Sequence, residues 1–326
     1  MTFKTFPFLI TSLMYLVSIN ADREIGSKSI GTNRTAKVPI LWTADWSPDD
    51  KQIAIGGDDG VLRIYETATF KLLKTYEFLS AVQCLDWNQN GKILAIALDD
   101  KPAHLLNIET GQFLKLQETT GSRALSWNPN GDLLAIGDYE GSLQIWSKEG
   151  KLIKSIKKDN NKTYLSVDWH PKKNIILTGG DKIRLFDTSG NLLQSIKHRK
   201  EETIILTVKW HPSGSFFATG DYGDSNEGIE SLLQFWNEDG TMIKSLSGSN
   251  AEYRNIRWNK DGSLLATASD GLRVWSKNGQ VIYTGKTEDL LWGIDWDSQS
   301  KNIITSSREG SIYLWTNKAK LLKIFH

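Results

Sequence analysis

The chain has 326 residues, with 39 Lys and Arg against 38 Asp and Glu, a formal net charge of +1 and 39% hydrophobic residues. That length holds one large domain or two ordinary ones around a substantial apolar core. The near-zero charge gives no global pull toward nucleic acid or an anionic membrane, and a single cysteine, Cys84, excludes an intramolecular disulfide and a cysteine-rich zinc site.

The first segment is unlike the rest. Lys4 and the amino terminus are positive, Phe6 to Ile19 carries no charge, and small Ala21 precedes Asp22-Arg23-Glu24. This is the pattern of a secretory signal cleaved after Ala21, so residues 1–21 are expected to export the chain to a periplasmic or secreted location. The alternative is an uncleaved signal that anchors the chain, although the run falls short of the roughly 20 apolar residues a membrane span needs. No later segment is apolar for long enough to span a bilayer, so none is expected in the mature chain. Residues 22–38 read as a lead-in. Asn33-Arg34-Thr35 and Asn161-Lys162-Thr163 fit the N-glycosylation pattern.

From residue 39 onward the chain repeats, and tryptophan marks the period. Trp46, Trp87, Trp127, Trp169, Trp210, Trp258 and Trp296 each end a short apolar strand, at spacings of 41, 40, 42, 41, 48 and 38 residues. Each anchor leads into a turn such as Ser47-Pro48-Asp49-Asp50, Asn128-Pro129-Asn130-Gly131 or His211-Pro212-Ser213-Gly214. Proline presets φ at the second turn position, and glycine or asparagine accepts positive φ later. A second apolar strand follows (QIAIGG, DLLAIGD, SFFATGD), then a third (VLRIYE, SLQIWS, LLQFWN) and a fourth (KLLKTY, KLIKSI, TMIKSL). No segment keeps a helical period. Seven units of four short strands predict an all-β, seven-bladed propeller over residues 39–326. Each blade would bury its faces against its neighbours, with the anchor tryptophans filling the wedges between them. Cys84 lies in one of the apolar strands and reads as a buried structural thiol.

First-strand endings such as DWSPDD, SWNPNG and DWHPKK, with third-strand endings Ile145-Trp146, Phe235-Trp236, Val274-Trp275 and Leu314-Trp315, resemble the WD40-repeat family. The resemblance covers residues 39–326. Two departures stand out. Only Phe186-Asp187 keeps the Asp of the dipeptide that ends the third strand, and the Gly-His dipeptide that usually precedes the first strand is absent. The family's Asp-His-Ser-Trp hydrogen-bond tetrad is therefore expected to be incomplete, although acids occupy the turn (Asp59, Asp100, Glu140, Asp270, Glu309). The resemblance also implies that a strand from one terminus closes the ring. KLLKIF, ending at Phe325, is expected to complete the last blade, with Ile25 to Ile30 as the competing segment.

The chemistry of catalysis is sparse, and no catalytic residue, metal ligand or cofactor is expected. His170 and His211 occupy one repeat position before proline, which argues for turn chemistry over ligation. No His-x-x-x-His, Cys-x-x-Cys, nucleophile elbow or phosphate loop occurs. The acidic insertion from Asp221 to Ser231 accounts for the long spacing but does not follow a calcium-loop order. The residue before each anchor (Asp45, Asp86, Ser126, Asp168, Lys209, Arg257, Asp295) is expected to face a wet central channel. That ring supports the alternative of a small-ligand binder or a hydrolase-like enzyme at the channel mouth.

The chain has 13 tryptophans. Seven are anchors and four end third strands, which leaves Trp42 and Trp292, each four residues before an anchor. In the family this slot follows a bulge and points onto the top face, where partners dock. Around the ring it reads Trp42, Gln83, Arg123, Leu165, Leu206, Arg254 and Trp292. After closure the two tryptophans should be neighbours, and Trp and Arg are the residues most enriched at binding hot spots. The turns between second and third strands should place Asp58, Asp99, Tyr139 and Arg308 on the same face. The expected function is therefore a monomeric, non-catalytic scaffold that binds a protein or peptide there, with no nucleic-acid partner.

Overall fold

The computed structural model describes residues 38–138, 140–156, 162–224 and 227–326. The signal and lead-in up to residue 37, Tyr139, both glycosylation asparagines and the Ile25–Ile30 segment lie outside the described residues. Each repeat forms one four-stranded antiparallel sheet, with its strands paired in chain order, seven times over. The first blade consists of Leu41–Trp46, Gln52–Gly57, Val61–Glu66 and Leu72–Glu77. The others begin at Val82, Ala124, Tyr164, Ile205, Asn255 and Leu291.

The burial of the strands follows from their place in a ring. Gln52–Gly57 is buried at every position but the first, whereas Leu72–Glu77 is exposed at every position but one. An inner strand is covered on both faces by neighbouring blades, so it reads as a continuous apolar run rather than an alternating one. The outermost strand has no such cover. The anchors Trp46, Trp87, Trp127, Trp169, Trp210 and Trp296 are 5–6% exposed. They fill wedges as expected, and several also reach back to the preceding blade. The indole N–H of Trp127 donates to Asp86 O at 3.1 Å, that of Trp169 to Ser126 O at 2.8 Å and that of Trp296 to Arg257 O at 3.0 Å.

The residue after each anchor caps the turn. Ser47 Oγ accepts the N–H of Gln52, and Asn88, Asn128 and Asn259 accept the N–H groups of Ile93, Leu133 and Leu264. His170 and His211 do the same with Nδ1, which accepts the N–H of Lys173 at 2.9 Å and of Ser213 at 3.1 Å respectively. An accepting Nδ1 places the proton on Nε2 of a neutral ring. Nε2 then donates across the seam, from His170 to Gly214 O at 3.0 Å and from His211 to Gly262 O at 2.8 Å. The turn reading holds, and the histidines add a tie between blades that Asn is too short to make.

The hydrogen-bond tetrad is incomplete, as expected, and comes nearest to completion in the fifth blade. His198 Nε2 bonds Thr219 Oγ1 at 2.9 Å, which accepts the Trp236 indole N–H at 3.0 Å, while His198 Nδ1 lies 3.4 Å from Asp221 without a hydrogen bond to it. Lys197 rather than glycine precedes this histidine, and Asp221 opens the long insertion rather than a tight turn, so the dipeptide signal is missing although the His–Thr–Trp part of the arrangement is formed. Arg199 Nη1 adds a 3.1 Å contact to Asp221, and the Asp221 carboxylate accepts the N–H of Leu232 at 2.6 Å. The acidic insertion is thus tied down at its base. The sixth and seventh blades keep the Trp–Thr half of the arrangement, Trp275 to Thr267 and Trp315 to Thr305.

Leu321–Phe325 pairs with Ile312–Thr316 and completes the last blade, as KLLKIF suggested. The ring then closes with the first strand of blade seven against that of blade one. Gly293 makes that approach possible. A Cβ there would lie 2.5 Å from Ala44 N and 2.8 Å from Thr43 C, both backbone atoms. The Gly293 N–H donates to Ser306 Oγ, which donates to Leu41 O across the same seam.

Gly293→Ala should therefore lower stability by about 1–3 kcal/mol, the usual range for overpacking against a backbone that cannot yield. Urea unfolding would show it, and an unchanged midpoint would mean that the seam relaxes freely. The neutral histidines make a second prediction. Burial lowers the pKa of both His170 and His211. A depressed histidine contributes stability that is full above the unfolded pKa, about 6.5, and is lost as pH falls below it. The pair His170→Asn and His211→Asn should cost about 1–2 kcal/mol at pH 8 through the lost seam bonds. It should also flatten the loss of stability between pH 7 and 5.5.

Candidate interaction site at the mouth of the central channel

The innermost strands carry two sets of side chains, one into the channel and one at its mouth. The channel set does more than expected. Asp45 accepts the Trp87 N–H at 2.9 Å, Asp86 that of Trp127 at 2.6 Å, Asp168 that of Trp210 at 2.7 Å and Asp295 that of Trp46 at 2.8 Å. Each carboxylate thus binds the anchor of the following blade. Where the position carries Ser126, Lys209 or Arg257 this bond is missing. The bases instead face the acids, Lys209 at 2.8 Å from Asp168 and Arg257 at 3.6 Å from Asp295 and 3.9 Å from Asp45.

Burial raises the pKa of Asp45 and Asp295, and that of Asp86 to about 6. Asp295 and Asp86 add to the rise at Asp45, while Arg257 opposes it. Burial alone would lower Arg257, but the carboxylates of Asp295, Asp45 and Asp86 hold it above the ordinary arginine value. Burial also pushes the Cys84 thiol up, which fits its reading as an inert residue, although it borders the channel mouth.

At the mouth the slot residues meet. A cavity of about 70 Å³ is lined by Trp42, Gln83, Arg123, Leu165, Leu206, Arg254 and Trp292, the full ring read from the repeat. The backbone explains why. The first strands of blades one, two, four, five and seven are bulged at Trp42, Gln83, Leu165, Leu206 and Trp292-Gly293. A bulge adds one residue to a strand and re-aims a side chain. Here it turns the slot out of the sheet face and over the channel. Arg123 and Arg254 stand just ahead of their first strands, each with its N–H on the second strand, at Gly137 O and Ala268 O.

Trp42 and Trp292 are adjacent, with ring centroids 4.4 Å apart and planes tilted by 34°. Arg254 lies over Trp292 at 4.4 Å and Trp42 at 5.8 Å, and Arg123 over Trp42 at 5.5 Å. Such cation–π contacts contribute about 0.5–2 kcal/mol, most where water is excluded. Arg254 is 8% exposed and pairs with Glu252 at 2.8 Å, and burial lowers its pKa. Trp292 is 7% exposed and Trp42 is half-buried, so the pair is partly ring-closing core and partly mouth surface. Gln83 donates to Asp99 at 3.2 Å, which brings Asp99 to the edge of the cavity, and burial raises the Asp99 pKa against the pull of Arg123. Asp58 and Arg308 are exposed on the surrounding rim and do not line the cavity. Asp58 accepts the Ile40 N–H and serves the turn. Tyr139 lies outside the described residues.

Sequence reasoning did not single out Lys209 and Arg257 as mouth residues, yet both also border the cavity from below. The signal was present, since they are the only bases in a ring that otherwise holds four aspartates and Ser126.

These features define a β-propeller whose ring is tied by inter-blade hydrogen bonds and whose channel mouth is aromatic and cationic. Three family models match: the WD domain, G-beta repeat, at residues 113–147 and 277–316, the anaphase-promoting complex subunit 4 WD40 domain at 29–89 and 77–123, and eukaryotic translation initiation factor eIF2A at 179–292. The chain belongs to the WD40-repeat family. It is 26% identical over 217 residues to the transcriptional corepressor LEUNIG_HOMOLOG of Arabidopsis thaliana, covering 63% of this chain and 26% of that protein. It is 29% identical over 240 residues to a ribosome biogenesis protein BOP1 homolog of the same plant, covering 71% and 29%. A probable cytosolic iron–sulfur protein assembly protein 1 of Candida glabrata is 28% identical over 135 residues, covering 38% and 40%. The chain thus spans between about a quarter and two fifths of the length of these relatives.

The relatives correct the expectation of export, both as a cleaved signal and as an anchor. Their names place them in transcriptional repression, cytosolic iron–sulfur assembly and ribosome biogenesis, which are processes of the cell interior. The physical reason is that residues 1–21 make a weak address: only Lys4 and the amino terminus supply positive charge ahead of the apolar run. Among the described residues no helix is long and apolar enough to cross a membrane.

Titration of the channel ring gives a prediction. An aspartate whose folded pKa is raised contributes stability that is full below the unfolded pKa, near 3.9, and is lost as pH rises through the folded value, here about 6. Asp86→Asn keeps an oxygen for the Trp127 N–H but removes the charge. Relative to wild type it should gain about 1–2 kcal/mol between pH 5 and pH 7.5. Chemical denaturation at the two pH values measures this, and a gain by the wild type instead would show that the carboxylate is stabilised as an anion.

Proposed function

We propose that this chain is a non-catalytic interaction module, with residues 39–326 as a single propeller that holds a protein or peptide partner on its top face. The observation that carries this reading is the Trp42–Trp292 pair flanked by Arg254 and Arg123 at the channel mouth. Large aromatic plates beside arginines are the typical composition of a binding hot spot. Gln83 borders the same place and holds Asp99 beside it, and Asp58 and Arg308 are taken as outer contacts of the partner. The relatives are named for assembly, biogenesis and corepression, which fits a scaffold. Fold alone does not assign a function, so the weight rests on the site.

The alternative of a channel-mouth hydrolase or small-ligand binder is less well supported. Its candidate acids, Asp45, Asp86, Asp168 and Asp295, already hold backbone N–H groups of neighbouring blades. A carboxylate committed to a seam is poorly placed to act on a substrate.

Quantitative affinity capture from cells of the source organism tests the proposal. Wild type is compared with Trp42→Ala/Trp292→Ala and with a control altered on the opposite rim, Lys51→Ala/Lys92→Ala. The expected result is loss of partners by tenfold or more in the tryptophan variant alone, equivalent to about 1.4 kcal/mol or more. A folded tryptophan variant that retains the wild-type partners would remove the mouth as the binding site.

A further inference from the structure

We infer that the mouth cavity is built to receive a carboxylate side chain, so that the partner is anchored by an acidic residue. The inference rests on the proposed interaction module and specifies what the module grips.

The first observation is unmet hydrogen bonding. The indole N–H groups of Trp42 and Trp292, Nη1 of Arg254 and Oε1 of Gln83 are buried without a hydrogen-bond partner, and all four residues line the one cavity. A buried polar group left unpaired costs about 1–3 kcal/mol, and unlike the unpaired anchor indoles of Trp46, Trp210 and Trp258 these four belong to residues that share a cavity. Three of the four are N–H donors. A group that satisfies them must be an acceptor with several lone pairs, and the fourth atom, an acceptor, suits the backbone N–H of the same incoming residue. Trp42 is only half-buried, so side-chain rotation at the rim can open these donors to a ligand without moving the ring.

The second observation is charge. The lining includes Arg123, Arg254, Lys209 and Arg257 and no Asp or Glu. That charge is already largely matched: Arg254 by Glu252, Lys209 by Asp168, Arg257 by Asp295 and Asp45, while Arg123 acts on Asp99. The net field is therefore small, and a doubly charged phosphate would be undercompensated there. A carboxylate also matches the planar fork of an arginine. The cavity of about 70 Å³ admits one such head group with its nearest water. The faces of Trp42 and Trp292 would flank the apolar stem of a glutamate.

Fluorescein-labelled heptapeptide pools, randomised except for a central Glu, Gln, phosphoserine or Lys, test this by fluorescence anisotropy. The Glu pool should bind about tenfold more tightly than the Gln pool. That preference should vanish in Arg254→Gln/Glu252→Gln. Arg123→Glu, at a half-buried position where folding is expected to survive, should turn the preference toward the Lys pool. Thermal melting of each variant verifies the fold. Equal binding of the Glu and Gln pools would overturn the acidic anchor, as would tighter binding of the phosphoserine pool, absence of binding by every pool, or a Glu preference that persists in both arginine variants. Partner loss in the tryptophan variant is read separately by affinity capture. If it occurs without a Glu preference, the interaction module stands and only the acidic anchor fails.

Discussion

Everything in this protein depends on the seam between neighbouring blades. A four-stranded sheet with two apolar faces is not stable alone, and here each blade borrows cover from the next around a closed ring. The cover is fastened at three levels. Anchor indoles donate back to the preceding blade, channel carboxylates accept the N–H of the following anchor, and His170 and His211 reach across at the far turn. The chemistry varies from seam to seam. Where Lys209 takes the place of an acid before Trp210, the seam to blade six carries the His211 bond to Gly262. Such a ring tolerates loss at one level because another remains, which explains how a His–Thr–Trp chain at His198 coexists with Trp–Thr pairs alone elsewhere.

The seam also shapes the site. The first strands must lie close enough for backbone to meet backbone at Gly293, and this leaves no room for large side chains within the sheet face at the channel end. Bulges move the slot residues out of register and over the mouth. The tryptophans of blades one and seven come together because those blades are neighbours only after closure. Their contact is therefore both a consequence of the ring and a surface that the ring presents. The mouth also gathers polar groups without partners: the indole N–H groups of Trp42 and Trp292, Nη1 of Arg254 and Oε1 of Gln83.

Much of this was legible in the chain itself. The anchor spacing, the turn residues and the recurring apolar strands define the blades, and KLLKIF identifies its own place as the closing strand. The meeting of Trp42 with Trp292 follows from the repeat position and ring closure. Other features were not legible. His198 carries no neighbouring glycine to mark it, and Thr219 and Asp221 lie more than twenty residues away, with Trp236 beyond the insertion. The channel acids were read as solvent-facing because their position predicts a direction but not an acceptor, and the N–H each one binds belongs to the next blade. The apolar start of the chain resembles a signal in composition, which is a property shared by segments with other fates.

The sequence alone determined the number of blades, the strands within each and the ring of residues that would share one slot. These are local and periodic properties, set by alternation, turn propensity and repeat length. Tertiary structure decided which atoms meet: that each channel carboxylate ties down a neighbour, that Gly293 admits the closing strand, and that arginines lie over paired indoles beside unpaired donors. Those contacts join residues about forty positions apart, or nearly the whole length of the chain at the closing seam. Only the curvature of the ring brings them within bonding distance.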